Sequence, residues 1–439
     1  MTASNRSFAV LGAGALGLTV ALRLAERGYT VTVYEREELP GGLAAGFPAG
    51  RAHLEKFYHH LFRTDSRAIR LMEELGLGDR LVWTRPRTVV LRDGKLWPMD
   101  TARSVLTFQP ISPADRIRMG GGLAYLKLSP SASPFEGKTA SSWIRRAMGA
   151  AAYETVWEPL LASKFGARHE DIALPWFWAR VHFRTSRLGY PIGGFQQLYD
   201  SLSHRIAGLG SEVQLSSEVK RVAPEAGKLV VETAGRQDRF DGVVSTLPLR
   251  LTASLAPALP ASYVERYSGV QAYGAMCLVL GLDRPLTDAY WININDPGFR
   301  FQPAVEHTNL VSPDEYDGRH IVYLGNYLPM DHPYFGLSKE ELLQEFTPGI
   351  VRLNPDFDAS WLRDLWLFKA PFAQPIVTTD YRDRIPPHLT PVPGLYLANM
   401  FQVYPQDRGQ NYSIALAERL VEKIAGGCCR ATSSLQSNS

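Results

Sequence analysis

The chain has 439 residues, ample for a deep core and for about three domains at roughly 150 residues each, or fewer if one is a large α/β unit. A hydrophobic fraction of 45%, with 37 glycines and 30 prolines, excludes disorder and a collagen-like chain. Lys and Arg number 47 against 44 Asp and Glu, a balance of +3 without a basic block, which argues against a nucleic-acid footprint but leaves room for a modest basic pocket.

Residues 8–11 predict a short apolar strand, 15–27 a helix and 30–34 a second strand, together a βαβ unit. The uncharged run 8–22 superficially resembles the apolar region of a signal peptide. Its three spaced glycines and the charged half-helix behind them argue instead for part of the fold. Residues 65–76 predict another helix, and 82–98 an alternating strand pair around Asp93-Gly94. A helical region rich in Trp and Arg runs to Arg187, with Arg180, Arg184 and Arg187 at helical spacing, and breaks at 191–194. Gly193-Gly194 then opens a helix over 195–207, followed by strands over 212–215, 228–233 and 242–246. Next come a helix, a long strand over 275–282, and strands around Val305 and Ile321. Residues 394–424 read as strand, loop and helix, and the small, polar stretch 428–439 as a disordered tail. No run reaches the ~18 apolar residues of a membrane span. Cys277, Cys428 and Cys429 match no zinc or iron–sulfur spacing, so no metal site and a reducing, cytoplasmic setting are expected.

The chemistry concentrates at Gly12-Ala13-Gly14-Ala15-Leu16-Gly17, a G-x-G-x-x-G turn between predicted strand and helix. Gly12 allows the tight turn, Gly14 lets the backbone approach a pyrophosphate, and Gly17 permits close helix–strand packing. Glu35 closes the next strand, where it accepts hydrogen bonds from a ribose diol. The second glycine pair, Gly41-Gly42, resembles the extended motif of FAD-binding proteins of the glutathione-reductase class and favours FAD over a simple NAD site.

With these motifs the chain resembles the flavoprotein superfamily of amine oxidases, protoporphyrinogen oxidases, carotenoid desaturases and UDP-galactopyranose mutases. The resemblance extends to Gly193-Gly194 with Phe195, Leu198 and Leu202, to the strand 241–246 before Pro248, and to 394–399 with its following helix. It implies that the backbone of Val219 contacts the adenine. Residues 56–65, which include His60 and Leu61, are similar to the mutase segment that passes beside the isoalloxazine. Residues 404–410, which include Asp407, Arg408 and Gln410, are similar to the mutase loop at the pyrimidine end of the flavin. The amine oxidase branch commonly carries a lysine in the long strand near the flavin N5, and residues 273–277 have none, which weakens oxygen-driven amine oxidation.

The expected fold is therefore α/β, a glutathione-reductase-like FAD-binding Rossmann domain (1–83, 184–250 and 385–427) interleaved with an α+β substrate domain (84–183 and 251–384). The expected cofactor is FAD, held by Gly12, Gly14, Gly17, Glu35, Gly41, Gly42, Leu61, Val219, Asp407 and Gln410. His60 is the candidate proton carrier or N5 donor and Arg408 the candidate anion-pairing group. Trp176, Phe177, Trp178, Trp366, Phe368 and Phe372 suit an aromatic wall over a flavin, though such clusters also form cores. Glu306-His307-Thr308-Asn309 supplies no nucleophilic Ser/His/Asp set. The expected activity is oxidation of a small-molecule C–N or C–C unit by hydride transfer to flavin. The alternative is redox-neutral isomerisation of a nucleotide-linked sugar, for which arginines gripping a diphosphate would be the signature.

Overall fold

The computed structural model describes residues 6–435, with side chains to residue 426. Ser7–Leu11 (β1) is apolar, and its last four residues are buried, as suits the middle of a parallel sheet covered on both faces. Ala15–Ala25 (α1) crosses over to Thr30–Tyr34 (β2). Much later the chain returns with Gln196–Gly208 (α2), Glu212–Gln214 (β3) and Gly242–Ser245 (β4), and later still with Leu395–Leu397 (β5) and Gln410–Leu435 (α3). These strands form one five-stranded sheet in the order β3-β2-β1-β4-β5, parallel throughout. α1 presents Leu18 and Leu22 to a single core that takes in Leu198, Leu202 and Ile206 of α2 and Leu416, Leu420 and Val421 of α3. Helices from three distant stretches thus share one face of the sheet. An antiparallel meander, Arg221–Glu225, Lys228–Glu232 and Gln237–Phe240, links β3 to β4.

A second, seven-stranded sheet stands beside the first. Its order is Leu362–Pro375, Ala272–Leu282, His320–Leu328, Ala304–Glu306, Trp291–Ile294, Thr88–Arg92 and Lys95–Pro98. Neighbours are antiparallel except where Trp291–Ile294 runs parallel to Thr88–Arg92. Helices between residues 102 and 182 build a separate core around Tyr153, Phe165 and Trp176. No helix among the described residues is long and apolar enough to cross a membrane.

Three expectations change. The predicted strand pair over 82–98 divides at Pro86, which has no N–H to give a ladder: Leu81–Thr84 pairs with Leu188–Pro191, and only Thr88–Arg92 and Lys95–Pro98 form the hairpin at Asp93-Gly94. The helix carrying Arg180 ends at His182, so Arg184 and Arg187 leave its face. α3 runs to Leu435, into the stretch read as a disordered tail, while 436–439 lie outside the described residues.

Candidate functional site

Sheet order reverses about β1, so the connections from β1 and β4 diverge and leave a crevice at their carboxyl ends. Gly12 sits there with φ 102°, a conformation few other residues tolerate. A methyl on Gly17 would lie 1.9 Å from the Gly12 carbonyl oxygen, so α1 approaches its own turn too closely for any side chain at this position. Gly14 differs: its φ of −76° and ψ of 177° are ordinary, and a methyl there would meet nothing within 4 Å. The open space beside Gly14 is bounded by the second glycine pair. The Gly41 N–H donates to the Ala13 carbonyl at 2.8 Å, and Gly42 follows with φ 59°. α1 has no side-chain cap and no acid in its first turn, leaving its N–H groups and partial positive charge directed at that space. These features fit a dinucleotide pyrophosphate.

Glu35 lies at the end of β2, nearly buried. Its Oε2 accepts the Ala13 N–H at 2.8 Å and its Oε1 the Glu37 N–H at 3.0 Å, so the carboxylate also holds the glycine turn in place. Beside it the Ser217 N–H donates to the Glu35 carbonyl at 2.7 Å, and Val219 packs near Leu11 and Tyr34. Residues 214–219 therefore run alongside the Glu35 end of the crevice.

The other predicted residues gather between the two sheets. Leu61 is buried in the core, its strand paired with Leu188 and Gly189, so its side chain is structural. His60 is half-buried, packed edge-on against Phe62, Tyr290 and Trp291. Its Nδ1 hydrogen-bonds the Tyr290 hydroxyl at 2.9 Å, and burial together with the charges of Arg184 and Arg180 pushes it down to about 3, which makes it a neutral imidazole. His59 is satisfied by the Phe57 carbonyl at 2.6 Å.

Asp407 receives Lys164 Nζ at 2.9 Å and Arg180 Nη1 at 3.1 Å. Burial alone would raise this carboxyl, but Lys164, Arg180 and Arg408 outweigh it and hold it well below the usual range. Arg408 itself donates to Gln374 and, at 2.8 Å, to the Tyr327 hydroxyl, binding the 404–410 loop to the seven-stranded sheet. Burial would raise the Tyr327 phenol, yet Arg408 and Lys164 hold it below its ordinary value, and Tyr58 sits 3.3 Å away. Gln410 opens α3 and accepts the Tyr199 hydroxyl at 2.9 Å, which fastens α3 to α2. Trp291 packs edge-on against both His60 and Tyr58 and so joins the two groups.

Sequence reasoning missed Lys164, Tyr327 and Tyr290, none of which sits in a local motif, and passed over Tyr58 within the 56–65 segment. It also missed Glu55, whose buried carboxylate accepts the Phe195 N–H at 2.6 Å and the Tyr190 hydroxyl at 2.8 Å, positioning the start of α2. Trp176, Phe177 and Trp178 belong to the helical core rather than to an aromatic wall, because their helix is buried nearly all round. Glu306 and His307 are likewise structural, Glu306 capping Leu286 and Thr287 and His307 bonded to Tyr316. Among the described residues Glu158, His169 and Glu170 place ligand atoms within 4.8 Å of one another, but Arg145 grips both Glu170 oxygens at 2.6 and 2.9 Å and occupies the place of a cation.

The family description "flavin containing amine oxidoreductase" matches residues 17–405. A zeta-carotene desaturase of Arabidopsis thaliana is 28% identical over 134 residues, 28% of this chain, and the match spans 24% of that relative's length. A putative protoporphyrinogen oxidase from Exiguobacterium sp. 255-15 superposes with a TM-score of 0.76 at 18% identity, covering 96% of this chain and 99% of the other. A reduced UDP-galactopyranose mutase gives 0.73 at 14% identity, with 96% of each chain covered. At these identities the solved structures establish the fold alone, a Rossmann-like parallel α/β domain with an attached second sheet.

Proposed function

We propose, on the premise that the chain belongs to the family of flavin containing amine oxidoreductases, that it oxidises a small-molecule C–N or C–C unit in the space between its two sheets. FAD is the cofactor of this class, and when bound it accepts the hydride. Gly12, Gly14, Gly41 and Gly42 would hold its pyrophosphate, with Gly17 letting α1 close on the turn, Glu35 would hold its ribose, Val219 its adenine side, and the 404–410 loop with the N-terminus of α3 its ring end. The observation that carries the reading is the position of His60: a neutral imidazole, tethered through Nδ1, with Nε2 free of any hydrogen bond among the described residues. An imidazole held this far below its ordinary value is a poor proton store, so Nε2 serves to hydrogen-bond and orient the reacting group of the substrate, while Tyr290 fixes the ring orientation. Arg408 orients substrate from the opposite wall, its guanidinium held by Gln374 and Tyr327. The half-buried aromatic pair Tyr58 and Trp291 limits water at the reacting atoms.

The same space supports a second reading, isomerisation of a nucleotide-linked sugar without net oxidation, because Arg180 and Arg184 both reach it. Anaerobic photoreduction of the yellow protein followed by timed air exposure separates the cases: fast reoxidation identifies an oxidase, slow reoxidation a dehydrogenase or isomerase. His60→Ala should keep the flavin and the fold while slowing reduction by ~10²-fold through lost orientation. An unchanged reduction rate at full flavin occupancy removes His60 from the chemistry.

A further inference from the structure

We propose that this protein docks on an anionic lipid bilayer through the outer face of the helix Pro113–Leu128, with Arg116 and Arg118 on opposite flanks of that face meeting the lipid headgroups. The proposal stands apart from the flavin reading, since none of the residues it uses belongs to the site between the two sheets.

The helix has 16 residues, a length of about 24 Å, and the Ser112 hydroxyl caps its start by accepting the Asp115 N–H at 3.1 Å. At about 100° per residue its faces separate cleanly. One face carries Met119, Gly122 and Leu126, all buried, and Met119 and Leu126 join the core that holds Phe135, Ile144 and Trp176. A methyl on Gly122 would lie 2.7 Å from Met148, so this face is closely packed. The opposite face carries Ala114, Ile117, Gly121, Ala124, Tyr125 and Leu128, all exposed and none charged. Ile117 is 68% exposed and Leu128 80%. Leu106, 51% exposed, lies over Gly120, where an added methyl would sit 3.7 Å from it, and so widens the strip. Tyr125 stacks on Trp143 with ring centroids 6.2 Å apart, an aromatic edge of the kind that suits a headgroup boundary.

A surface helix is ordinarily polar on the side away from its core. Here the solvent side is apolar as well, and four of the ten large hydrophobic side chains exposed among the described residues fall between residues 106 and 128. They form a patch rather than a scatter.

The charge around the patch decides what covers it. Arg118 borders the strip on one side, and Arg116 and Lys127 border it on the other, at the angles that flank an interfacial helix. Among the described residues none of the three makes an ion pair. Backbone carbonyls hold them instead: Arg116 bonds Ile111 and Arg118 bonds Arg146 at 3.0 Å each, and Lys127 bonds His182 and Arg184 at 2.7 Å each. Asp115, the acid of this helix, accepts the Ser112 hydroxyl at 2.6 Å. Residues 99–148 hold seven Lys and Arg against three Asp and Glu, a larger excess than the +3 of the whole chain. A second copy packed on this face would set cations against cations, because a two-fold interface places the same patch against itself. An anionic bilayer surface satisfies both halves of the pattern. The apolar strip enters the acyl boundary to a depth of ~5–10 Å, while the aliphatic stems of Arg116 and Arg118 let their guanidinium groups reach lipid phosphates. The helix is folded and packed before it meets the bilayer, so docking orders no new segment.

The test is cosedimentation of the purified flavin-containing protein with vesicles of phosphatidylcholine alone and of phosphatidylcholine with about one third phosphatidylglycerol. Binding should be at least ~10-fold tighter to the anionic vesicles and should fall as salt is raised. Ile117→Ser combined with Leu128→Ser, and separately Arg116→Gln combined with Arg118→Gln, should each weaken that binding ~10-fold or more at unchanged flavin content and circular dichroism. No cosedimentation with either vesicle, equal binding to both, or variants that bind like the wild type overturn the proposal. A concentration-dependent dimer in sedimentation velocity without lipid, dissolved by Ile117→Ser with Leu128→Ser, gives the face to a second copy and overturns it as well.

Discussion

The two inner glycines of the first turn make a matched pair for testing how the cofactor cradle is built. At Gly17 an added methyl would lie 1.9 Å from a backbone oxygen and 3.3 Å from Val10, so the helix must shift away from β1. Overpacking of this severity costs at least ~1–3 kcal/mol, which corresponds to roughly 2–12 °C in the melting temperature of a unit of 150–250 residues. At Gly14 the same direction opens into empty space from an unstrained backbone, so Gly14→Val should leave the flavin-free protein within ~0.5 kcal/mol of wild type. It should nevertheless weaken FAD binding ~100-fold or more, about 2.7 kcal/mol, because its side chain occupies the place of the pyrophosphate. The assay is flavin-to-protein absorbance after purification, then thermal unfolding of both variants as flavin-free proteins, since bound FAD would itself raise the melting point. Full flavin content in Gly14→Val, or equal loss of stability in both variants, refutes the division of labour between the two positions.

Asp407→Asn should destabilise by about 3–5 kcal/mol, because Lys164 and Arg180 lose their shared counter-charge in a buried setting; differential scanning calorimetry reads this directly, and an unchanged transition contradicts the network. Glu55 is raised by burial to about 7, against 4.5 for an ordinary glutamate, so the folded state holds a proton there that the unfolded chain releases. Its contribution is therefore greatest below pH ~4.5 and is lost as pH rises toward 7, by on the order of 1–3 kcal/mol. Glu55→Gln should flatten that part of the stability profile measured by urea unfolding, and an identical slope in the variant contradicts the assignment.

How much of this was legible beforehand depends on whether the signal is local. The first βαβ unit was, because Phe8–Leu11, the three glycines and Glu35 each follow from a rule spanning a few residues. His60 and Asp407 were found through segments similar to known flavoproteins, again contiguous ones. Lys164 and Tyr327 were not, since they meet only when the helix Glu158–Phe165 is laid against the strand His320–Leu328, and neither element carries a motif. Trp176 illustrates another failure: an aromatic cluster has the same composition whether it faces a cofactor or another helix, and packing alone decides. Arg184 was singled out for a helical spacing that the chain abandons at His182. Its backbone is held instead by Lys127 Nζ, which donates to the Arg184 carbonyl at 2.7 Å, and by the Thr64 hydroxyl, which donates to the Phe183 carbonyl at 2.6 Å, bonds that no spacing encodes.

The central sheet is assembled from strands made at very different moments. β1 pairs with β4, and β5 completes the sheet only at residues 395–397, while α1 waits for α3 beyond residue 410 to cover it. At ~5–20 residues per second on the ribosome, tens of seconds separate the appearance of β1 from that of its last partners. Throughout that interval Val10, Leu18 and Val20 lack the apolar neighbours they are buried among in the finished molecule. The nascent chain therefore leaves one side of the sheet and the face of α1 uncovered until residues 395–435 have emerged, so that removing Leu395–Leu397 or the helix behind it is a failure of folding before it is a failure of catalysis.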